Sequence, residues 1–488
     1  MHYWNKVASI ERIVVGKPEL EPNRLSGKIE FVTARGTAEF KLEFNFGEQV
    51  FQVPISSPAS REDEWVNALA TMILAMPVLN FSYFAKEVRI EGGVSQEDLG
   101  LLREFSRVNS VEVFVNKICR RRYEFIKRQY VPSEDDISQD NANGGCSIKG
   151  NPIPIEWGDR PASHNRVAIL SSGGKESLLS FGMLREAGAE VFPIFINESG
   201  GHWRTALQSY RYFKENFPNV KKVWTNVDRF YSWALDFIEI LDREAISKRA
   251  DTYPVQLFIF PVYVFAAVPL LLKYGISGVL LGNEFDDPRE MIPYKGIKHY
   301  YGVFDQTEDF ASMVNSYTSS KGLDMKLWSA VYPVAGNIVE KALMSRYHDI
   351  FLQQRSCHSC HFSNGRIMPC GKCTKCYGIY LFVSAHGGNP AEIGYTSTKL
   401  EDVLESVKNG RMRLDPDELN FMLDRIEKRT PEPRMAHVTG IHVLEGEGIP
   451  FSRVPENFRD QVRAIISHYA DGVYALKGNA WTRITERV

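Results

Sequence analysis

The alternation of apolar strands with helical segments that begins at residue 166 constrains the fold of this 488-residue chain more than any other feature. A strand pattern at 166–171 precedes a helical segment that starts at Lys175, and further strand patterns follow at 190–196 and 221–227. Strands that alternate with helices in this way form parallel sheets with crossover helices. The sequence therefore predicts an α/β fold with a parallel, doubly wound sheet.

The regions that flank this pattern predict additional units. Alternating apolar residues over 29–46 indicate a hairpin, apolar residues over 62–76 share one helical face, and Ser95 begins a capping-box sequence. Asp, Asn, Gly, Pro and Ser dominate 132–163, which is typical of a linker or loop. The predicted organisation is an N-terminal α+β domain at 1–130, a linker at 131–165, the α/β domain at 166–355, a Cys-rich metal knot at 356–385 and a helical C-terminal extension at 386–488.

Charge and hydropathy narrow the classes of partner. The 58 basic and 60 acidic side chains leave a net charge of −2, which disfavours a nucleic-acid partner. The first residues resemble no secretion signal, so we expect a cytoplasmic protein. Residues 253–272 carry no formal charge and are long enough to span a bilayer, but three prolines and a following strand-like run favour a buried helix. We therefore expect no membrane partner.

The turn between the first strand and the first helix of the α/β region is rich in glycine and serine. Two adjacent glycines let backbone N–H groups approach an anion, serine hydroxyls add donors, and the helix start contributes positive charge. The spacing matches neither the Walker loop nor the dinucleotide motif. The sequence predicts that this turn binds nucleotide phosphates; the candidate residues are Ser171, Ser172, Gly173, Gly174 and Ser177.

Polar residues follow two other predicted strands. Asn283 and Glu284 come after a strand-like run, and Ser199 and Gly200 come after the second strand. Ligands of parallel sheets bind at the carboxyl ends of the strands, so Asn283 and Glu284 are candidate site residues, and Ser199 and Gly200 are candidates for contacts to adenine or ribose. Ordinary solvated loops are the alternative for both segments.

Five of the seven cysteines lie within twenty positions. Three of them have C-x₂-C-x₂-C spacing, and two further cysteines precede them as alternatives for a fourth ligand. Four thiolates form a closed tetrahedral zinc site, whereas an iron–sulfur cluster is the competing interpretation. The candidate metal ligands are Cys357, Cys360, Cys370, Cys373 and Cys376.

The run from Ser172 to Ser177 resembles the SGGxDS loop of the PP-loop superfamily, the N-type ATP pyrophosphatases. The resemblance implies an adenine nucleotide α-hydrolase-like fold and cleavage of ATP to AMP and pyrophosphate, usually by adenylation of an acceptor oxygen. It implies that Ser172, Gly173, Gly174 and Ser177 hold the pyrophosphate portion of ATP. Glu176 stands where the family carries Asp, and a role for it in binding Mg²⁺ or in shaping the loop is expected.

Two families within this superfamily carry both a similar loop and a similar cysteine motif. In 7-cyano-7-deazaguanine synthases the spacing favours Cys360 as the first ligand. The ATP-dependent UDP-N-acetylmuramoyl-L-alanyl-L-glutamate epimerases resemble this chain over more of its length, with an extra N-terminal domain and an Asn-Glu pair like that at 283–284, and this alignment favours Cys357. The fourth ligand is left open between Cys357 and Cys360.

These resemblances imply an enzyme that adenylates a small-molecule carboxylate and uses ATP, Mg²⁺ and Zn²⁺. Lys175, Glu176, Asn283 and Glu284 are the candidate catalytic residues. The adenylate then reacts with an amine or protein acceptor, or it is epimerised next to the activated carbonyl. A tRNA sulfur transferase and a non-catalytic nucleotide-binding partner are the alternative functions, and a homodimer is an open alternative for the assembly.

Overall fold

A computed structural model describes residues 2–51, 61–120, 125–155, 162–247, 258–290, 292–357, 359–363, 365–412, 414–443 and 449–485. The strands in these ranges are β1 Ile10–Val15, β2 Glu19–Glu21, β3 Arg24–Thr33, β4 Gly36–Asn45, β5 Glu87–Ile90, β6 Ser147–Lys149, β7 Ser163–Leu170, β8 Glu190–Asn197, β9 Lys221–Thr225, β10 Ile276–Leu280, β11 Lys326–Trp328, β12 His361–Ser363, β13 Arg366–Met368, β14 Ile441–Val443, β15 Val473–Lys477 and β16 Ala480–Thr485.

The α-helices in the same ranges are α1 Tyr3–Val7, α2 Arg61–Val78, α3 Gln96–Glu112, α4 Gln139–Asn143, α5 Lys175–Glu186, α6 His202–Asn216, α7 Val227–Ala234, α8 Arg243–Ser247, α9 Phe260–Tyr274, α10 Glu308–Ser320, α11 Gly336–Arg346, α12 His348–Phe351, α13 Thr374–Ala385, α14 Leu400–Lys408, α15 Pro416–Ile426 and α16 Glu456–Ser467. A π-helix, Val113–Cys119, continues directly from α3.

A large, mostly parallel sheet organises the described part of the chain. Its strands lie in the order β11-β10-β7-β8-β9-β4-β3-β1-β5-β6, with β2 added on β3. The five strands from β11 to β9 are mutually parallel, and β1, β5 and β6 form a second parallel group. The α/β class and the parallel arrangement of the strands beginning at β7 are confirmed.

Helices cover both faces of the sheet. Successive residues of β7 point to opposite faces, so that Val167 and Ile169 join one buried cluster with α5, α6 and α11, while Ala168 and Leu170 join the other with α2 and α9. A strand that is buried on both faces has a continuous apolar sequence, and this explains the unbroken apolar run at 167–170.

The N-terminal region shares this sheet. The hairpin of β3 and β4, the helix α2 and the capping box of Ser95 with Asp98 are all present as predicted. Strand β4 pairs antiparallel with β9 and thereby joins the N-terminal strands to those beginning at β7. The segment 131–165 differs from the loop expected for most of it, because its described residues include α4 and β6, and β6 adds an edge strand next to β5.

The apolar segment at 253–272 lies partly outside the described residues. From Phe260 onward it forms α9, whose residues are almost all buried against the sheet, as expected for a core helix. By length and composition only one described helical stretch, Glu64–Phe84, qualifies as a candidate membrane span, and 83% of the qualifying window is buried inside the fold. Core helices of globular proteins pass the same test, so this stretch is weak evidence for a membrane span.

The C-terminal extension differs from the helical expectation in one respect. Besides α14, α15 and α16 it contains a three-stranded sheet in the order β14-β15-β16. Helix α15 packs against α13, and a 3₁₀ segment, Pro433–Thr439, lies against both α15 and α11. The extension therefore lies directly beside helices that follow the parallel strands.

Candidate functional site

The predicted site residues lie at the carboxyl ends of neighbouring parallel strands. The glycine turn follows β7, the segment with Ser199 follows β8, and Asn283 and Glu284 follow β10. Because β7 lies between β8 and β10 in the sheet, these three segments meet at one edge. This edge is where ligands bind in parallel α/β sheets.

The glycine turn has a conformation that needs glycine. Gly173 has a φ of +79°, and a Cβ there would lie 2.5 Å from Oγ of Ser209. The hydroxyl of Ser177 donates to the carbonyl of Gly174 over 3.1 Å and lies 3.3 Å from Oγ of Ser171. Ser172 is exposed. The turn thus presents a free serine and the start of α5 at the sheet edge, as an anion-binding turn requires.

Lys175 is the buried cation of the site. Its side chain is 5% exposed, and Nζ donates to Oε2 of Glu284 over 2.6 Å and also to Glu176. The ammonium lies 5.2 Å from the ring centre of Phe382 on α13. Burial opposes the charge on Lys175, but the two carboxylates outweigh this effect and raise its pKa above the ordinary value.

Glu284 lies close to Gly336, and Glu176 lies close to Gly282. Burial raises the pKa of Glu284 to about 8, Lys175 acts in the opposite direction, and the neighbouring carboxylates raise the pKa further. A Cβ on Gly336, at the start of α11, would lie 2.9 Å from Oε2 of Glu284, and a Cβ on Gly282 would lie 2.7 Å from Cβ of Glu176. These glycines allow β10, α5 and α11 to converge on the ammonium of Lys175.

Asn283 is close in sequence to this group but is turned toward β11. It is 5% exposed, its carbonyl accepts from Oγ of Ser329 over 2.6 Å, and its Oδ1 has no hydrogen-bond partner among the described residues. A buried amide oxygen without a donor is costly, and ligand or water donors at such sites relieve the cost.

Ser199 and Gly200 lie on the β9 side of the edge. Ser199 has a φ of +65°, and its hydroxyl donates to the carbonyl of Thr225 over 2.8 Å. A Cβ on Gly200 would lie 2.2 Å from Oδ2 of Asp228. No hydrogen bond joins these two residues to Lys175 in the described chain, so the structure groups them with the end of β9 and not with Glu284.

Two buried carboxyl groups near Lys175, those of Glu340 and Glu418, were missed by the sequence-based analysis. Burial raises the pKa of Glu340 to about 7, and it also raises the pKa of Glu418. Glu418, from the C-terminal extension, accepts from the backbone N–H of Asn337 over 2.7 Å and so caps the start of α11. No motif marks these residues; only the long-range packing of α11 and α15 brings them here.

A second polar network joins the extension to the end of β10. Arg289 binds Asp287 with both guanidinium and backbone N–H groups and also reaches Asp417 over 3.0 Å. His437 lies 3.2 Å from Asp417, and Nε1 of Trp481 donates to Asp287 over 2.9 Å. The segment that carries Glu284 is therefore fixed in place by residues almost two hundred positions downstream.

Four cysteines form a compact cluster beside the glycine turn. The Sγ atoms of Cys357, Cys370, Cys373 and Cys376 all lie within 4.8 Å of one another. The separations are 3.4 Å for Cys373–Cys376, 3.7 Å for Cys370–Cys376 and 4.0 Å for Cys357–Cys373. A tetrahedron with Zn–S bonds of 2.3 Å has edges of about 3.8 Å. The four thiolates can therefore hold a metal ion such as zinc.

Cys360 lies outside this group of four, although it is buried beside Cys357. The geometry thus selects Cys357 where the sequence left the fourth ligand open. The backbone N–H of Arg355 donates to the carbonyl of Gly173 over 3.0 Å, and the hydroxyl of Thr205 donates to the carbonyl of Cys357. Arg355 lies two positions before Cys357, so its hydrogen bond to Gly173 connects the cysteine cluster to the glycine turn.

The chain was compared with known proteins to look for relatives. Comparison with protein families, curated proteins and solved structures finds no match to the chain. The functional assignment accordingly depends on the residues themselves and on the resemblance of the motifs.

Proposed function

We propose that the protein is an ATP-dependent enzyme of the PP-loop type that adenylates a carboxylate and releases pyrophosphate. The observation that carries the proposal is the glycine turn at the end of β7, which leads into α5 at the buried Lys175. A turn with a φ of +79° at Gly173, an exposed hydroxyl at Ser172 and a nearby ammonium supplies backbone donors, a side-chain donor and positive charge to a polyphosphate.

In the adenylation step an oxygen of the carboxylate attacks the α-phosphorus of ATP. The new P–O bond gives the acyl-adenylate, and the bond from the α-phosphorus to the bridging oxygen breaks, so that pyrophosphate leaves with the electron pair. Lys175, Ser172 and the N-terminus of α5 stabilise the charge that develops on the leaving group. Mg²⁺ accompanies ATP in such reactions, and Glu176 is the candidate protein ligand because it offers carboxylate oxygens at the start of α5, directly after the glycine turn.

The second step depends on what attacks or deprotonates the adenylate. Two carboxyl groups near Lys175, those of the partly exposed Glu284 and the buried Glu340, have pKa values raised to about 8 and about 7. Groups that titrate near neutral pH are suited to take a proton and return one. This favours epimerisation: one carboxylate removes the proton next to the activated carbonyl, an acid returns a proton to the opposite face, and water releases the acid and AMP.

Formation of an amide or nitrile, as in the deazaguanine synthases, is the competing second step. It needs an amine to attack the acyl carbon with loss of AMP, and it would not exchange the neighbouring C–H proton. The sulfur-transferase alternative needs thiols for persulfide chemistry, whereas four of the clustered cysteines have the arrangement of a closed metal site. A non-catalytic nucleotide-binding partner would bind ATP and release no pyrophosphate.

The deciding experiment incubates the full chain with MgATP and a small panel of acids. The panel contains the muramoyl-alanyl-glutamate nucleotide and a deazaguanine carboxylic acid, and products are quantified as pyrophosphate, AMP and ADP. We expect pyrophosphate and AMP in equal amounts with one acid, and in deuterated water we expect deuterium at the carbon next to its carboxylate. Release of ADP, or binding of ATP without pyrophosphate from any acid, would contradict the proposal.

A matched pair of variants connects that activity to the turn. Ser172→Ala removes an exposed hydroxyl and should weaken ATP binding about tenfold, the effect of one lost charge-assisted hydrogen bond. Ser319→Ala removes an equally exposed hydroxyl on α10 and should change nothing. Equal ATP affinity in the two variants would argue against phosphate binding at Ser172.

A further inference from the structure

A cavity of about 610 Å³ lies in the N-terminal half of the fold and shares no lining residue with the glycine turn or the cysteine cluster. Its walls come from α3, α4 and the segment 293–300. Ligand sites for small molecules have volumes of about 300 to 1,000 Å³, so the cavity can enclose a molecule of several rings. The proposed adenylation chemistry leaves this cavity and its polar groups unused.

The wall of the cavity is built around a buried carboxylate. Glu112, which is 0% exposed at the end of α3, accepts from the backbone N–H groups of Tyr300 and Gly302, both over 2.6 Å, and from Nδ2 of Asn116 over 2.9 Å. These bonds attach the segment around 300 to α3. Two backbone donors from the loop on one carboxylate fix the loop against α3, so the cavity is formed before any ligand arrives.

The same segment holds residues in uncommon backbone conformations. Tyr301 has a φ of +57° and Lys295 a φ of +47°, although neither is glycine. Tyr301 is kept there by its N–H, which donates to Nδ1 of His299 over 3.1 Å, and by the guanidinium of Arg120, which lies 4.7 Å from its ring centre. Non-glycine residues in this region cost about 1 to 3 kcal/mol each and collect at ligand sites.

The backbone of α3 is also altered next to the cavity. Glu112 is the last residue of α3 that lines the cavity, and the π-helix Val113–Cys119 begins at the next position. Asn116, in that π-helix, is 1% exposed and has no hydrogen-bond partner for its Oδ1 among the described residues. Turns of π-helix are found frequently at functional sites, where they displace side chains from the α-helical register.

We propose that this cavity binds an organic anion with an apolar or aromatic body. Val108 and Val111 line it with apolar surface, while Arg107 and Lys298 place positive charge along it. The carboxylate of Glu112 is occupied by its three donors. Glu104 pairs with Arg107 on the same helix, whereas Lys298 forms no ion pair with any described residue, so the ammonium of Lys298 is available to a ligand.

The charge of Lys298 decides which end of the ligand it holds. An exposed ammonium next to apolar walls binds a carboxylate or a phosphate, since both offer oxygen acceptors and negative charge. The apolar side chains of α3 then cover the rest of the molecule. A neutral or cationic molecule of the same shape would lose the contact with Lys298.

Calorimetric titration of the full chain with four probes tests the proposal. The probes are phenylacetate, phenyl phosphate, benzyl alcohol and benzylamine, which share an aromatic ring and differ in charge. We expect the two anions to bind at least tenfold more tightly than benzyl alcohol, and benzylamine to bind most weakly. The stronger of the two anions identifies the headgroup. The proposal is overturned if neither anion binds or if benzyl alcohol binds as well as the anions.

Variants then place the binding in this cavity. Lys298→Glu should weaken binding of the preferred anion at least tenfold. Val108→Trp should weaken it equally because the larger side chain fills the cavity. If Val108→Trp fails to fold, Val111→Phe is used as the filling variant. The control is Lys408→Glu, the same charge change at an exposed position on α14. Binding that survives both Lys298→Glu and the filling variant, or that Lys408→Glu weakens equally, would overturn the assignment.

Discussion

The backbone N–H of Arg355 donates to the carbonyl of Gly173 over 3.0 Å, and this bond joins the segment before the cysteine cluster to the glycine turn. Arg355 is itself buried, and among the described residues its guanidinium donates to three backbone carbonyls, those of Leu352, Gln354 and Ile367. Burial lowers the pKa of Arg355, yet guanidinium groups remain charged in proteins. Order in the cluster is therefore coupled to order in the turn.

Replacing one cysteine of the group of four should destabilise both the cysteine cluster and the glycine turn. Cys357→Ser removes a thiolate from the group of four, so we expect loss of the metal and a decrease in unfolding free energy of about 4 kcal/mol, the scale of losing a structural metal site. Because Arg355 connects the two elements, ATP affinity should decrease as well. Metal content by elemental analysis, urea unfolding and ATP titration check these outcomes.

The matched control is the neighbouring thiol. Cys360→Ser changes a buried cysteine outside the group of four and should retain one metal ion per chain. If Cys360→Ser loses the metal and Cys357→Ser keeps it, the fourth ligand has been assigned to the wrong cysteine. A brown preparation that contains iron would instead identify an iron–sulfur cluster.

Gly282 should tolerate no side chain. Its Cβ would lie 2.7 Å from Cβ of Glu176, close to the backbone of α5, so Gly282→Ala must push β10 away from the glycine turn. We expect a loss of about 2 kcal/mol in unfolding free energy and a lower rate of pyrophosphate release. Gly100→Ala is the control, because nothing lies within 4 Å of that Cβ in α3 and alanine favours helix by about 1 kcal/mol. If the two variants were equally stable, a side chain at position 282 would not collide with Glu176.

Sequence patterns predicted the elements whose causes are local. The start of α5 at Lys175, the hairpin of β3 and β4 and the capping box of Ser95 each follow from residues within a few positions of one another. The parallel direction of the strands beginning at β7 also follows from the alternation of strands and helices, whereas the choice of β8 and β10 as the neighbours of β7 was not predicted. The elements and the parallel direction of the strands could be predicted from the composition and spacing of nearby residues, because they do not depend on distant contacts.

Long-range packing explains what the sequence did not predict. Glu340 and Glu418 approach Lys175 because α11 and α15 pack together, and neither carboxyl lies in a recognisable motif. The pairing of β4 with β9 rests on only two residue pairs, so it leaves no pattern in either strand. The choice of Cys357 over Cys360 likewise depends on how the chain turns around the cluster.

Glu340 should make stability depend on pH. Burial raises its pKa from an ordinary 4.5 to about 7, so the folded chain keeps a proton that the unfolded chain has released between pH 4.5 and 7. This contribution to stability is complete below pH 4.5 and is lost as the pH rises through 7. Glu340→Gln should match the parent protein at pH 4.5 and be more stable by about 2 to 3 kcal/mol at pH 8, as measured by urea unfolding. An identical pH dependence in both proteins would exclude the raised pKa.

Lys175 should be needed for stability as well as for the chemistry. Lys175→Met leaves Glu176 and Glu284 without their ammonium, and removing one partner from a buried ion pair costs about 3 to 5 kcal/mol. Because the side chain of Glu284 is 32% exposed, we expect the lower end, about 3 kcal/mol, at pH 8. The cost should shrink toward pH 5, since the carboxyl group of Glu284, whose pKa burial already raises, takes up a proton once the cation is gone. Urea unfolding at both pH values checks this, with the exposed Lys408→Met as the control. A stability cost that does not change with pH would mean that Lys175 does not influence the protonation of the neighbouring carboxyl group.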